Sequence, residues 1–344
     1  MSNAELSGFL GRWLPRLEEE MRGALAQNEP TVAAHYGMIR YHMGWADETL
    51  QPRIYRSGKR IRPMFCLLAC AEVGGDPVQA LPAAVAVELL HNFSLIHDDI
   101  EDGDEMRHHR PTVWKLWGVP LGINAGDALF ALAFAAIQQL PRLGVAPQLT
   151  LQALEIFTQT CLALTEGQYL DISFETREDV SVLDYMRMIQ GKTAALLGAS
   201  TAIGALLGGA TQQQIGHLLA FGEASGLAFQ IQDDILGIWG DPVVTGKAAG
   251  NDILRRKNSL PILYTLNHAH VGEQFETLLD DDFGPAELPQ ALRLMDQAGA
   301  QEFAQDAMHA EHERSIAALD AALEARPGGT KLGALAESLL NRRV

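Results

Sequence analysis

The chain has 344 residues, 47% hydrophobic but only 7% aromatic, and its 43 acidic against 26 basic side chains give a formal net charge of −17. That length and apolar content can bury a large core, which excludes disorder for the chain as a whole, and the acidic excess opposes binding to nucleic acid. Three cysteines, Cys66, Cys70 and Cys161, without a CxxC spacing, exclude a disulfide framework and suit a reducing, cytoplasmic compartment.

Residues 1–13 lack the basic-then-apolar order of a secretory signal. From there apolar residues recur every three to four positions, and no run of strict alternation is bounded by turn signals, which predicts an all-α protein. The spacing predicts helices over 4–27, 31–50, 59–73, 79–103, 121–140, 147–172, 181–190, 193–207, 211–237, 258–270, 286–299, 301–324 and 331–342. Gly- and Pro-rich breaks fall at 74–77, 141–147, 240–251, 280–285 and 326–329. None reads as a linker and no repeat occurs, so a single domain over 1–344 is expected. The stretch Thr193–Gly222 carries no Asp, Glu, Lys or Arg and is long enough to span a membrane. Its Gly, Ser, Thr and three consecutive Gln favour a buried helix pair instead, and no transmembrane segment is expected.

Within 88–112, an apolar helix ends in Asp98, Asp99, Glu101, Asp102, Asp104 and Glu105. Asp98 and Asp102 stand four apart on one helical face, where like charges repel. A divalent cation with oxygen ligands would relieve that repulsion, and magnesium is commonly held by one or two carboxylates plus phosphate. A calcium loop of the EF-hand type is excluded, because positions 3 and 12 counted from Asp98 are Ile100 and His109. Taken alone, the cluster could equally be an acidic helix end. A second such cluster changes the balance: Asp233 and Asp234 again close an apolar helix, with Gln230 one turn earlier and Asp241 beyond. Facing helices would let both clusters grip one polyphosphate. His97 is expected to orient a neighbouring carboxylate, and the acidic triplet 280–282 reads as a solvated loop.

The basic residues are grouped despite the acid excess: Arg53, Arg56, Lys59, Arg60 and Arg62; Arg107 and Arg110; Lys192; Lys247; and Arg255, Arg256 and Lys257. Any one group reads as a solvated surface. Arg offers a planar fork for phosphate and Lys a point charge, so five groups beside two carboxylate clusters point to two anionic substrates.

In order, GKRIRP (58–63), DDIED (98–102), RHHRPT (107–112), EGQYLD (166–171), GKT (191–193), FQIQDD (229–234) and VTGK (244–247) resemble the trans-isoprenyl diphosphate synthases over roughly residues 55–265. The resemblance implies one bundle of long antiparallel helices around a deep apolar cavity, in a homodimer. It implies magnesium, three ions with substrate bound, held by Asp98, Asp99, Asp102, Asp233 and Asp234. It places Arg107, Lys192, Lys247 and Lys257 on an allylic diphosphate (dimethylallyl, geranyl or farnesyl). Lys59, Arg62, His91 and His108 fall on isopentenyl diphosphate, and Gln168, Asp171, Lys192, Thr193 and Gln230 at the reacting centre. The implied reaction is ionisation of the allylic diphosphate, attack by the isopentenyl double bond, and loss of a proton to the departed diphosphate.

Two residues depart from the family pattern. Gly237 stands where a third Asp is common, with Asp241 a candidate substitute, and His108 replaces an Arg. Phe93, five residues before Asp98 and so a little over one helical turn away, is placed to stop a growing prenyl tail, with Ser94 leaving space beside it. As an ordinary core aromatic it would look the same in sequence. Within the resemblance this arrangement favours geranylgeranyl diphosphate, with farnesyl diphosphate the alternative. A class I terpene cyclase would have no use for GKRIRP, and a noncatalytic helical subunit would need neither acidic pair. His268, His270, His309 and His312 lack supporting partners for a zinc site, and Arg342 and Arg343 are candidates to close over the isopentenyl site.

Overall fold

Capping residues and prolines set the helix starts closely. In the computed structural model, which describes residues 3–26, 29–55, 58–177, 179–240, 250–279, 283–324 and 329–340, the order begins with α1 (Asn3–Ala24), α2 (Ala33–His42), α3 (Ile61–Glu72) and α4 (Pro77–Glu101). Asp76 caps α4 by accepting from the Val78 amide, with Pro77 in the first turn where a missing N–H costs nothing. A hairpin of β1 (Met106–Arg107) and β2 (Arg110–Pro111) follows, then α5 (Val113–Trp117), α6 (Val119–Ile137) and α7 (Pro147–Phe174). Next come α8 (Val182–Ile189), opened by a Ser181–Asp184 capping box, a π-helical turn over Gln190–Ala194, α9 (Ala195–Leu207) and α10 (Gln212–Trp239). The remainder is α11 (Asn251–Leu254), α12 (Leu260–Leu266), α13 (Gly272–Leu278), α14 (Leu288–Ala298), α15 (Ala300–Leu323) and α16 (Lys331–Leu340).

The all-α expectation holds, with corrections. The helix expected over 31–50 stops at His42, because Gly44 turns the chain at φ 81° and an irregular segment runs on to Tyr55. Two two-residue strands occur where none was expected; a pair this short cannot show alternation. The charge-free stretch is not one helix: it breaks at Gly208 and Gly209 between α9 and α10, as a helix pair requires.

The described chain forms two compact units, Met1–Thr158 with Ser200–Ile215, and Gln159–Ala199 with Gly216–Val344. In the first, α4 packs against α3 and α6 through a run of small and branched side chains, Ala80 to Leu90, that is almost wholly buried. A Cβ at Gly204 would overlap the Cys66 carbonyl, so only glycine lets these backbones approach so closely. In the second, one apolar cluster joins Tyr185, Leu227, Ile231, Leu260 and Leu263, and another joins Ile253, Phe275, Ala291 and Met295. By length and apolarity α4 and the stretch Val119–Leu143 could each cross a membrane, although 67% of the former's apolar window is buried within the protein and 39% of the latter's.

Candidate active site

Successive residues on a helix project about 100° apart, so an Asp-Asp pair cannot put both carboxylates on one face. In the first unit Asp99 turns inward and is 2% exposed, whereas Asp98 is half-buried and Asp102, the C-cap of α4, is exposed. Asp99 Oδ1 accepts from Arg107 Nε at 2.7 Å, while Oδ2 is buried without a hydrogen-bond partner. Burial pushes the Asp99 carboxyl up to about 6, against the pull of the Arg107 guanidinium. The carboxylate that His97 meets is that of Asp127. The His97 Nε2 lies 3.2 Å from the Ile123 carbonyl and 3.8 Å from Asp127, over Gly126, where a Cβ would overlap the ring.

Arg107 leads into the β1–β2 turn, where His108 and His109 both have positive φ, 50° and 61°. This is the turn that normally takes Asn-Gly. A non-glycine residue held there costs about 1–3 kcal/mol, and such strain gathers at functional sites.

Behind the turn is a set of basic side chains on the irregular segment, α3 and α4. Arg62 Nη1 lies 3.2 Å from His91 Nε2, and Lys59 is exposed. Burial, then the charges of Arg62, Arg107 and neighbours, hold His91 well below the usual imidazole range. His42, which the sequence did not single out, is held down to about 3 by burial, Arg107, Arg60 and His108. Imidazoles held neutral by burial first and by the surrounding cations second lie where an anion would be welcome. Arg60 is not available to one: it is 5% exposed and bonds Glu18 and Glu88, each at 2.8 Å.

Phe93 begins a row of rings. Its centroid lies 4.7 Å from His97 and 5.0 Å from Phe130, which continues to Phe134 and then Phe157 at 5.3 and 5.1 Å. Phe93 thus stands in line with rings on α6 and α7.

The second unit repeats the inward-outward division. Asp233 is half-buried, and Asp234 is wholly buried. Asp234 Oδ2 accepts from the Tyr185 hydroxyl and from the Leu260 amide at 3.2 Å, and Oδ1 from Gln230 Nε2 at 3.3 Å. Lys257 Nζ lies 3.5 Å from Asp234 Oδ1 and 3.8 Å from Asp252. Burial raises the Asp234 pKa and the Lys257 charge counters it. Burial alone would lower Lys257, but Asp234 and Asp252 outweigh it and the net shift is upward. Thr193 donates to Gln230 Oε1 at 3.0 Å, so Gln230 turns its carbonyl to Thr193 and its amide to Asp234. Lys192 Nζ meets Asp171 at 2.5 Å. That pairing needs close backbones: a Cβ at Gly167 would overlap Lys192, and one at Gly191 would lie 2.6 Å from the Ala163 carbonyl. The lysine and threonine stand on the π-helical turn, an irregularity common at functional sites. Gln168 is half-buried on α7.

Sequence reasoning passed over Tyr185 and Asp252, which only the tertiary packing brings to Asp234 and Lys257. Arg56, Asp241, Lys247, the 280–282 triplet, Arg342 and Arg343 lie outside the described residues. No three His, Cys, Asp or Glu side chains converge among the described residues. That donor set still fits magnesium, which takes one or two carboxylates and leaves its other positions to water and phosphate. The orphaned Asp99 oxygen also shows a carboxylate the protein alone does not satisfy.

An all-helical enzyme with two such carboxylate ends, each backed by cations, is of the isoprenoid synthase class. Residues 44–295 match the polyprenyl synthetase family, and the chain belongs to it as a short-chain prenyltransferase. It is 43% identical to a (2E,6E)-farnesyl diphosphate synthase of Mycobacterium bovis, over 72% of this chain and 68% of that one. With a geranylgeranyl diphosphate synthase of Mycobacterium tuberculosis it shares 44% identity over 75% and 69%. A polyprenyl synthetase structure from Streptomyces coelicolor superimposes with a TM-score of 0.87 at 36% identity, covering 97% of this chain and 99% of the other.

Proposed function

We propose that the chain joins isopentenyl diphosphate to an allylic diphosphate and that its product is geranylgeranyl diphosphate. The observation carrying this is the shared design of the two acidic pairs, in which the inner Asp is buried against a cation, Asp99 on Arg107 and Asp234 on Lys257. Each outer Asp, 98 and 233, with Asp102, is then the ligand offered to a cation, and the inner ones position phosphate-binding side chains.

Bound magnesium, three ions in this proposal, would neutralise charge on the diphosphate as the carbon–oxygen bond breaks. Arg107, Lys192, Lys257 and Lys247 bind that diphosphate as direct cations, and Asp171 fixes the Lys192 ammonium. Lys59, Arg62, His91 and His108 hold isopentenyl diphosphate without metal. Anion binding there favours the protonated imidazoles that burial and the neighbouring cations disfavour. The Thr193 hydroxyl and Gln230 carbonyl, locked by their mutual hydrogen bond, present dipoles to the allylic cation, with Gln168 nearby in sequence on the same helix as Asp171. The proton leaves with the departed diphosphate, so no side chain is assigned as base.

Incubation with magnesium, isopentenyl diphosphate and dimethylallyl, geranyl or farnesyl diphosphate is expected to give a C20 diphosphate by mass spectrometry, and EDTA is expected to abolish it. A C15 end product would assign farnesyl diphosphate instead, and a cyclised hydrocarbon would overturn the reading.

The ring row supports Phe93 as the stop for the growing tail. Phe93→Ala removes the first phenylalanine of the row and leaves Phe130 as the next obstacle, so products longer than the wild type's are expected by chromatography of the dephosphorylated prenols. Unchanged length would remove Phe93 from this role.

A homodimer is part of the proposal, supported by the apolar residues α6 exposes, Leu121 and Ile123 at 42% and 44%. A cytoplasmic location is supported by the three buried, unpaired cysteines.

A further inference from the structure

Arg110 belongs to the RHHRPT motif but has no assigned part in the reaction, and it is held from several sides. Its guanidinium carbon sits 3.8 Å over the Tyr41 ring and 3.8 Å over the Tyr55 ring, between the two. Nη1 donates to the Tyr41 carbonyl at 3.1 Å and Nη2 to the Ala46 carbonyl at 2.9 Å. Nε lies 3.9 Å from Glu48. The Tyr41 hydroxyl returns a hydrogen bond to the Pro111 carbonyl at 2.7 Å, and Tyr41 itself rests edge-on against Trp117. Strand β2 is thereby pinned to the segment 41–55 from both of its residues.

What this pinning holds is the turn before it. Arg107 pairs with Arg110 across the hairpin, and the two residues between them, His108 and His109, are both in the left-handed region. Such a conformation persists only where the surroundings over-determine it. Strand β1 is fixed by the Arg107–Asp99 ion pair, and β2 by the Arg110 stack. With both ends fixed, the tight turn is the only way to close the hairpin.

We propose that Arg110 is a positioning residue that holds the strained turn closed and so presents His108 to isopentenyl diphosphate. This rests on the assignment of His108 to that substrate. Arg107 has its own anchor in Asp99 and stays in place when the clamp is lost. The two substrates should therefore respond differently.

Arg110→Lys keeps the charge but loses the planar stack and the two-carbonyl fork. Tyr55→Leu removes one face of the stack without touching Arg110. Each is expected to raise the KM for isopentenyl diphosphate about tenfold while the allylic KM and kcat stay within about twofold. Adding His109→Gly to Arg110→Lys supplies a residue at ease with positive φ and should return that KM towards the wild-type value. An unchanged isopentenyl KM in either folded variant overturns the proposal, as do parallel rises in both KM values. Loss of folding in both variants, followed by circular dichroism, assigns the clamp a purely structural role and overturns it too. If the wild type does not consume isopentenyl diphosphate, the functional reading fails and takes this proposal with it. An active wild type with unaffected variants removes this proposal alone.

Discussion

Asp98→Ala and Asp233→Ala are each expected to slow magnesium-dependent prenyl transfer by on the order of 10³-fold without unfolding the protein. Both side chains stand at the half-buried outer position of their pair, and neither is part of the packed core. The inner residues should behave oppositely. Asp99→Ala leaves the Arg107 guanidinium without its 2.7 Å partner, and Asp234→Ala strips Tyr185, Leu260, Gln230 and Lys257 of a common acceptor. Breaking a buried network of this kind costs about 3–5 kcal/mol, so Asp234→Ala should show first as a lowered thermal midpoint. Steady-state rates and thermal unfolding of the four variants separate the roles. Full-rate turnover by both outer variants would falsify the functional reading. Equal destabilisation by inner and outer variants would remove the division of labour.

That division was only half legible in the sequence. The pairs themselves, their apolar settings and their cations stand out as composition. Which carboxylate faces inward depends on what packs over the helix end: Tyr185 and Leu260, far along the chain, over Asp234, and Arg107, eight residues on and brought back by the hairpin, over Asp99. The long helices were readable because each keeps an apolar stripe over several turns. The short ones, Val113–Trp117 and Asn251–Leu254, fall below the length at which periodicity can be recognised. The π-helical turn at Lys192 leaves no compositional mark at all, although the glycines at 167 and 191 that allow it to approach α7 do. Basic grouping was the least reliable signal, because charge count cannot distinguish a ligand from a buried strut. Arg60 and Arg62 are two residues apart in one motif, yet the first is consumed by Glu18 and Glu88 and the second stands beside His91.

Restoring the third Asp of the second motif should harm this enzyme. The sequence makes Gly237 look like a lost ligand, with Asp241 as its replacement, but the space is already taken. A Cβ at residue 237 would overlap the carboxylate of Asp252, which is 7% exposed and lies 3.8 Å from Lys257. Asp252 thus delivers a carboxylate to the position the missing side chain would have reached, from α11 instead of α10. Gly237→Asp must push that carboxylate aside, place two like charges in one volume and disturb the Lys257 contact. Overpacking of this kind costs about 1–3 kcal/mol before the charge repulsion is counted, which for 344 residues corresponds to a thermal midpoint lowered by about 1–4 °C. Activity should fall about tenfold or more, because the displaced Asp252 carboxylate is a partner of Lys257. The exchange Gly237→Asp with Asp252→Gly leaves one carboxylate in the same space and should recover much of the loss in both measurements. A single Gly237→Asp variant that is as stable as the wild type and at least as fast would show that the two side chains can share the site, and that Asp252 does not stand in for the absent residue.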